Sequence, residues 1–197
     1  MKNLITVLLL ALLSGCSNDS NSNPEGQLPP ITQTGANTFG VTIKGKVYIP
    51  RDPTGVTVGP QGHGVIFTGS DIGTWREIIV VDGASAVGFK MVIHFKDLVN
   101  QGVGTYQLKQ SDFHDNIDSA PIDHIYFKIW DDEISNYAYY GSVENQGEIK
   151  VTKRDSGILS GTFKGIFARY NTPTDIIEIT DGRFDFNLNT LPTTIFL

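Results

Sequence analysis

The chain has 197 residues, 40% of them hydrophobic and 18% charged, a length that suits one domain or one domain with a tail. Its formal charge is −6, or −7 without a leader containing Lys2, and Lys and Arg are spread singly; this argues against nucleic acid as a partner. Twenty-one glycines, 10% aromatic residues and many Val, Ile and Thr point to strands joined by tight turns.

The N-terminus reads "MKNLITVLLLALLSGC". Lys2 is a short positive region, Leu4 to Leu13 an apolar run broken only by Thr6, and Ser14 and Gly15 are small, as signal cleavage requires. Such a run spans only about 15 Å as a helix, against a bilayer core of roughly 30 Å. Residues 1–15 therefore read as a removable leader. "Leu13-Ser14-Gly15-Cys16" resembles the lipobox of bacterial lipoproteins, which implies that Cys16 carries lipid, palmitate included, and becomes the first residue of the mature chain. The alternative is a plain secretory leader with an incidental cysteine. Cys16 is the single cysteine, so its lipidation leaves no thiol for a disulfide or for thiol catalysis. Two or more acyl chains hold a protein on a membrane without spanning it.

"SNDSNSNPEGQ", Ser17 to Gln27, has no large apolar side chain and cannot offset the entropy of ordering it. A flexible tether is expected over residues 16–34, followed by a β-domain over 35–197. "LPPITQTGANTFG", Leu28 to Gly40, and the pair "LSGTFKGIF" at Leu159 and "IEITDGRFDF" at Ile177 come next. They resemble the "LPPxTQTGANTFG" opening and "SGTF…ITxGRFD" ending of Bacteroidota outer-membrane lipoproteins of unknown function. The resemblance implies an outer-membrane lipoprotein and carries no activity. Ser17, directly after the cysteine, fits outer-membrane retention by the sorting rule of better-known lipoproteins. Which side of that membrane the domain faces stays open. Pro29 and Pro30 disfavour helix, and the small residues after them suit a plug or lid across the end of the β-domain, or a ligand-contacting loop.

Alternation with period two recurs along the rest of the chain. Phe39, Val41, Ile43, Gly45, Val47 and Ile49 read as one face of a first strand. "GVIFTG", "WREIIVVDG", "VGFKMVIHFKD", "GTYQL" and "DHIYFKIWDD" follow, with one helical turn at "FKDLVNQG". "SNYAYYGSV" and "GEIKVTKRD" read as two strands linked by "ENQG", and "GILSGTFKGIFARY" and "DIIEITDGRFDF" as the last two, with a bulge at Asp181-Gly182. About ten short-linked strands predict an all-β domain, an antiparallel sandwich or small barrel.

No G-x-S-x-G elbow, H-E-x-x-H, P-loop or G-x-G-x-x-G is found, and no cofactor is expected. Two groups are candidate sites. "SDFHDNIDSAPIDHIYF" gathers Asp112, His114, Asp115, Asp118, Asp123 and His124; the first four are possible metal ligands, although the spacing fits no EF-hand and a solvated acidic loop is the alternative. On the strand from Asp123, alternation puts His124, Tyr126, Lys128 and Trp130 on one face and Ile125, Phe127 and Ile129 on the core face, with Tyr137, Tyr139 and Tyr140 across the turn. Tyr126, Trp130 and Tyr139 are candidate contacts for a glycan or small apolar ligand; cross-strand pairs that only brace a hairpin are the alternative. The resulting expectation is a non-enzymatic, lipid-anchored domain that binds a ligand or partner. The alternatives are a structural subunit of an envelope complex and a carboxylate-based hydrolase. Cys16→Ala is expected to abolish palmitate labelling and release the protein from membranes; persistent labelling refutes the lipobox reading.

Overall fold

Alternating apolar and polar residues build a single curled antiparallel sheet, a half-barrel whose concave side is the core. The computed structural model describes residues 26–55, 62–70 and 72–197; the leader, Cys16 and the expected tether from Ser17 to Glu25 lie outside the described residues. The strands are β1 Thr38–Ile43, β2 Lys46–Tyr48, β3 Val65–Gly69, β4 Arg76–Asp82 and β5 Phe89–Phe95. They continue as β6 Gly104–Gln107, β7 His124–Asp131, β8 Asn136–Asp155, β9 Ile158–Arg169 and β10 Thr172–Asn187. The helical turn falls where expected, as α1 Leu98–Gln101, started by the Asp97 carboxyl accepting from the Asn100 N–H. The spatial order is β2-β1-β10-β9-β8-β7-β5-β4-β3, with β6 added to β8. The chain after β2 ties the two edges together. The Arg51 N–H donates to the Val81 carbonyl at 3.0 Å, and the Asp52 N–H donates to the Phe196 carbonyl at 2.8 Å.

Inward positions are filled by large side chains. Phe89, Phe127, Phe163, Phe167 and Phe186 are all buried, and Phe127 meets Phe167 edge-on at 5.3 Å. Leu159, Phe163 and Phe167 share the inner face, as their spacing indicates. Two strand expectations need correction. The first strand is not continuous to Ile49. Lys44 and Gly45 have φ of 50° and 78°, a two-residue turn that folds β2 back on β1 in register Ile43↔Lys46. In contrast, "ENQG" makes no hairpin. It is a register break inside one long strand, β8, between Ser142 and Gly147, where the Leu108 N–H donates to the Gly147 carbonyl and the Asn145 N–H to the Leu108 carbonyl. The bulge in β10 falls between Ile179 and Gly182, as expected.

The segment Leu28 to Asn37 is neither a tether nor a lid over the barrel end. It is a strap along the outer face of β1, β10 and β9, so the folded unit begins before residue 35. Its anchor is Asp185 on β10, which is 1% exposed. Asp185 accepts from Thr32 Oγ1 at 2.5 Å, Ser160 Oγ at 2.6 Å, and the N–H groups of Thr34 and Gly35 at 3.0 and 2.9 Å. Asn37, at φ 54°, extends the clasp by accepting from the Asn187 N–H and donating to Thr194 Oγ1. Gly40 is needed beneath the strap, since a Cβ there would collide with the Pro29 ring.

Burial alone would raise the Asp185 pKa. The hydrogen bonds from Ser160, Thr32, Gly35 and Ala36 outweigh it and bring the carboxyl down to about 2 from 3.8. A depressed carboxyl stabilises the fold above its unfolded pKa, and that stabilisation is lost as pH falls through the folded one. Wild type is therefore expected to lose stability between about pH 4 and pH 2 through this group. Asp185→Ala is expected to cost on the order of 3 kcal/mol at neutral pH, by leaving several donors unpaired, and to show less of that acid slope. Urea melts at stepped pH check both.

Candidate functional site

The outer face of the sheet carries two sets of side chains that the core does not require. The first is aromatic. Pairing of β7 with β8 sets Trp130 opposite Tyr137 and Lys128 opposite Tyr139. The Trp130 and Tyr137 rings meet edge-on at 5.5 Å, and Lys128 Nζ sits 4.4 Å from the Tyr137 ring centroid. Trp130 Nε1 donates to Asp132 at 3.0 Å. Tyr139 and Tyr170 are 42% and 57% exposed, and the Tyr170 N–H donates to the Tyr139 carbonyl. Two of the expected contacts, Trp130 and Tyr139, thus share an accessible face. Tyr126 does not join them. It is buried beneath the loop between β6 and β7 and donates its hydroxyl to Asp115 at 3.0 Å. Burial and the Asp115 charge push its hydroxyl pKa upward. Tyr140 points inward and stacks on Phe127.

The second set is polar and buried. Register puts Glu77 of β4, His94 of β5 and His124 of β7 directly opposite one another, all 2% exposed or less. They are covered by the loop 108–123, which lies across the outer face and buries β5 from Val92 to Phe95 and β7 from His124 to Phe127 on both sides. Glu77 accepts from the Asn116 N–H through both oxygens, at 3.1 and 3.2 Å, and contacts His94 Nδ1 at 3.2 Å. His124 is held between two serines, with Ser111 Oγ 2.9 Å from Nδ1 and Ser119 Oγ 2.9 Å from Nε2. The Ser119 hydroxyl donates to the Ala120 carbonyl and so accepts from Nε2–H; Nδ1 of the neutral ring is then an acceptor and takes the Ser111 proton, while Ser111 Oγ accepts from the Phe113 N–H. Burial brings the His124 pKa down from 6.5 to about 4, with Asp112 opposing, so the ring is neutral at physiological pH.

Two of the carboxylates expected as metal ligands, Asp112 and Asp115, are used as braces for this loop. Asp112 accepts from the N–H groups of His114 and Ala120, at 3.0 and 2.6 Å. Asp115 pairs with Lys90 at 2.6 Å. Burial opposes ionisation of both, but these hydrogen bonds prevail and lower their pKa values. Asp118 lies exposed at the end of a short 3-10 turn, and the His114 side chain is also exposed, 3.8 Å from Asp112. Asp123 accepts from the Lys96 N–H. Among the described residues, no three His, Cys, Asp or Glu side chains converge as metal donors must.

A row of rings links the two sets. Trp75 stacks on His94 at 5.5 Å, His94 meets His124 at 5.3 Å, and Phe113 bridges Tyr126 and Tyr170 at 6.2 and 5.0 Å. Phe113 fits because Gly141 beneath it has no side chain; a Cβ there would lie 2.6 Å from the ring. Beside Trp75 and His94 is an open pocket of about 380 Å³. No protein-family model, curated protein or solved structure matches the chain.

Trp75, Glu77, His94 and Tyr170 are not among the residues that the sequence singles out. Alternation does place Glu77 and His94 on outward positions of their strands. Nothing local says that they face each other, or that a loop closes over them. One outcome follows from the neutral, buried His124. Its folded pKa lies below its unfolded one, so the stability it contributes is complete above about pH 6.5 and is lost toward pH 4. His124→Gln is expected to flatten the wild-type decline over that window while lowering stability at neutral pH. Thermal melts at half-unit pH steps measure this, and an unchanged slope refutes it.

Proposed function

We propose that this chain is a lipid-anchored envelope protein, held at the outer membrane through Cys16, whose β-domain binds a ligand or partner without catalysing a reaction. The observation that carries the binding reading is the set of neighbouring aromatic side chains, Trp130, Tyr137, Tyr139 and Tyr170, on the convex face of a sheet whose concave side is filled by its own core. A partly exposed indole and the exposed phenol rings of Tyr139 and Tyr170, beside Lys128 and Asp132, offer flat apolar surface with polar groups at the margin. Such a surface suits the apolar faces of successive sugar rings in a glycan. Because the core fills the concave side, a ligand has to be met from outside. Lipid attachment rests on the four residues ending in Cys16 and the polar residues after them. No helix among the described residues is long and apolar enough to cross a membrane.

A structural role in an envelope complex is the second reading, and the same outer aromatic face favours it. Hydrolysis by the loop carboxylates has less support, since Asp112 and Asp115 are engaged in holding backbone, Lys90 and Tyr126. Binding of the intact protein to an array of extended glycans is expected, with about tenfold or greater loss in Trp130→Ala/Tyr139→Ala. An array blank for the intact protein removes the glycan reading. Loss of a co-purifying envelope partner in the same double variant would favour the assembly reading instead.

A further inference from the structure

The pocket beside Trp75 lies at the opposite end of the ring row from the Trp130–Tyr139 face, and that face does not explain its construction. Its floor is His94, which is 2% exposed and held from behind by Glu77, fully buried at 0%. A buried carboxyl–imidazole pair is expensive, and an apolar pair in its place is often as stable or more so. The outer row of this sheet already has such apolar positions; Val92 on the same strand is fully buried. Glu77 has a role in folding, accepting the Asn116 N–H of the covering loop, but folding alone gives little reason for the imidazole of His94 beside it.

The geometry of the pair is that of a positioned ring nitrogen. Glu77 and its Asn116 N–H partner fix the imidazole orientation through Nδ1, which faces the carboxyl as a donor. Nε2 has no hydrogen-bond partner among the described residues, and every fully buried side-chain nitrogen and oxygen among them has one. Nε2 is therefore the His94 atom open to the pocket that this residue lines. Trp75 stacks nearly parallel on the same ring, 18° between planes, and forms the adjoining wall. Thr74 and Ser119 add hydroxyl groups, and Lys96 and Asp97 both line the pocket, so their charges offset each other.

We propose that this pocket binds one neutral, hydroxyl-bearing ring of monosaccharide size, with Trp75 against its apolar face and His94 Nε2 hydrogen-bonded to a ring hydroxyl. A volume of about 380 Å³ falls at the small end of ligand pockets, which run from roughly 300 to 1,000 Å³. It suits one ring rather than a chain. Balanced charge at the mouth excludes a requirement for an anionic or cationic ligand. Glu77 is a positioning residue, acting through His94. The site does not depend on the outer aromatic face: the two are built on different strands and loops.

The test uses the full-length protein in detergent, carrying Trp130→Phe so that Trp75 is the sole indole. It is titrated with glucose, galactose, xylose and N-acetylglucosamine, and Trp75 emission is followed. A saturable change with millimolar affinity for at least one sugar is expected. His94→Phe, which keeps a ring beneath Trp75 and removes Nε2, should weaken it about tenfold or more. Trp75→Ala, followed by calorimetry in otherwise wild-type protein, should do the same, and it decides the matter if circular dichroism shows His94→Phe unfolded. No saturable response to any of the four sugars overturns the proposal, as does affinity unchanged in the readable variant. Binding here with a blank response from the Trp130–Tyr139 face, or the reverse, separates this site from that one.

Discussion

The carboxyl of Asp185 fastens the N-terminal strap to the sheet. It lies on the outer face of β10 beside Ser160 of β9, and it accepts from four residues of the strap, Thr32, Thr34, Gly35 and Ala36. Without donors a carboxylate could not be buried there. With them, it locks the strap to two strands more than a hundred residues away in sequence. The consequences spread from this point. Pro29 is pressed onto Gly40, Arg183 donates to the Pro29 carbonyl, and Asn37 is set to clasp Asn187 and Thr194. "TQTGA", "SGTF" and "GRFD" sit far apart in the chain, yet they are three sides of one hydrogen-bonded box.

A half-barrel leaves one face of its sheet to water unless loops cover it. This chain covers the outer face twice, with the strap over β1 and β10 and with the loop 108–123 over β5 and β7. Each cover is fastened by a carboxyl on the sheet that accepts loop N–H groups: Asp185 under the strap and Glu77 under the loop. Irregular backbone can lie against a sheet only if its donors are met, and an acceptor on the strand beneath is an economical way to meet them. This explains why acidic side chains placed at outward strand positions turn out buried. It also explains why the acidic loop is braced to the sheet rather than simply solvated.

How far the candidate sites could be read in advance depended on the range of the interaction. Trp130 and Tyr139 were legible because a hairpin joins their strands, and alternation sends both outward. Tyr126 has the same alternation as Trp130, but Phe113 and Asp115 come to lie on it, and the chain doubles back there for reasons that no local pattern carries. Glu77, His94 and His124 come from three strands and form a row only through register. A shift of one residue in any of those strands would send one of them into the core.

The sequence by itself determined the strand content, the inner faces of most strands, the helical turn at Leu98 and the bulge in β10. Each follows from side-chain periodicity or turn chemistry within a few residues. It is also the sole basis for reading Cys16 as an attachment point, since the residues around it lie outside the described structure. Tertiary structure decided the rest. A positive-φ turn at Lys44-Gly45 split one apparent strand, and a register break at Asn145 joined two. Leu28 to Thr34, expected to belong to the tether, lie in a strap, and Asp112 and Asp115 act as braces. For the strap, the register break and the Asp115 brace the deciding partner is distant in sequence. Hydrogen bonds and cover from such partners depend on how the sheet curls, which no single segment encodes.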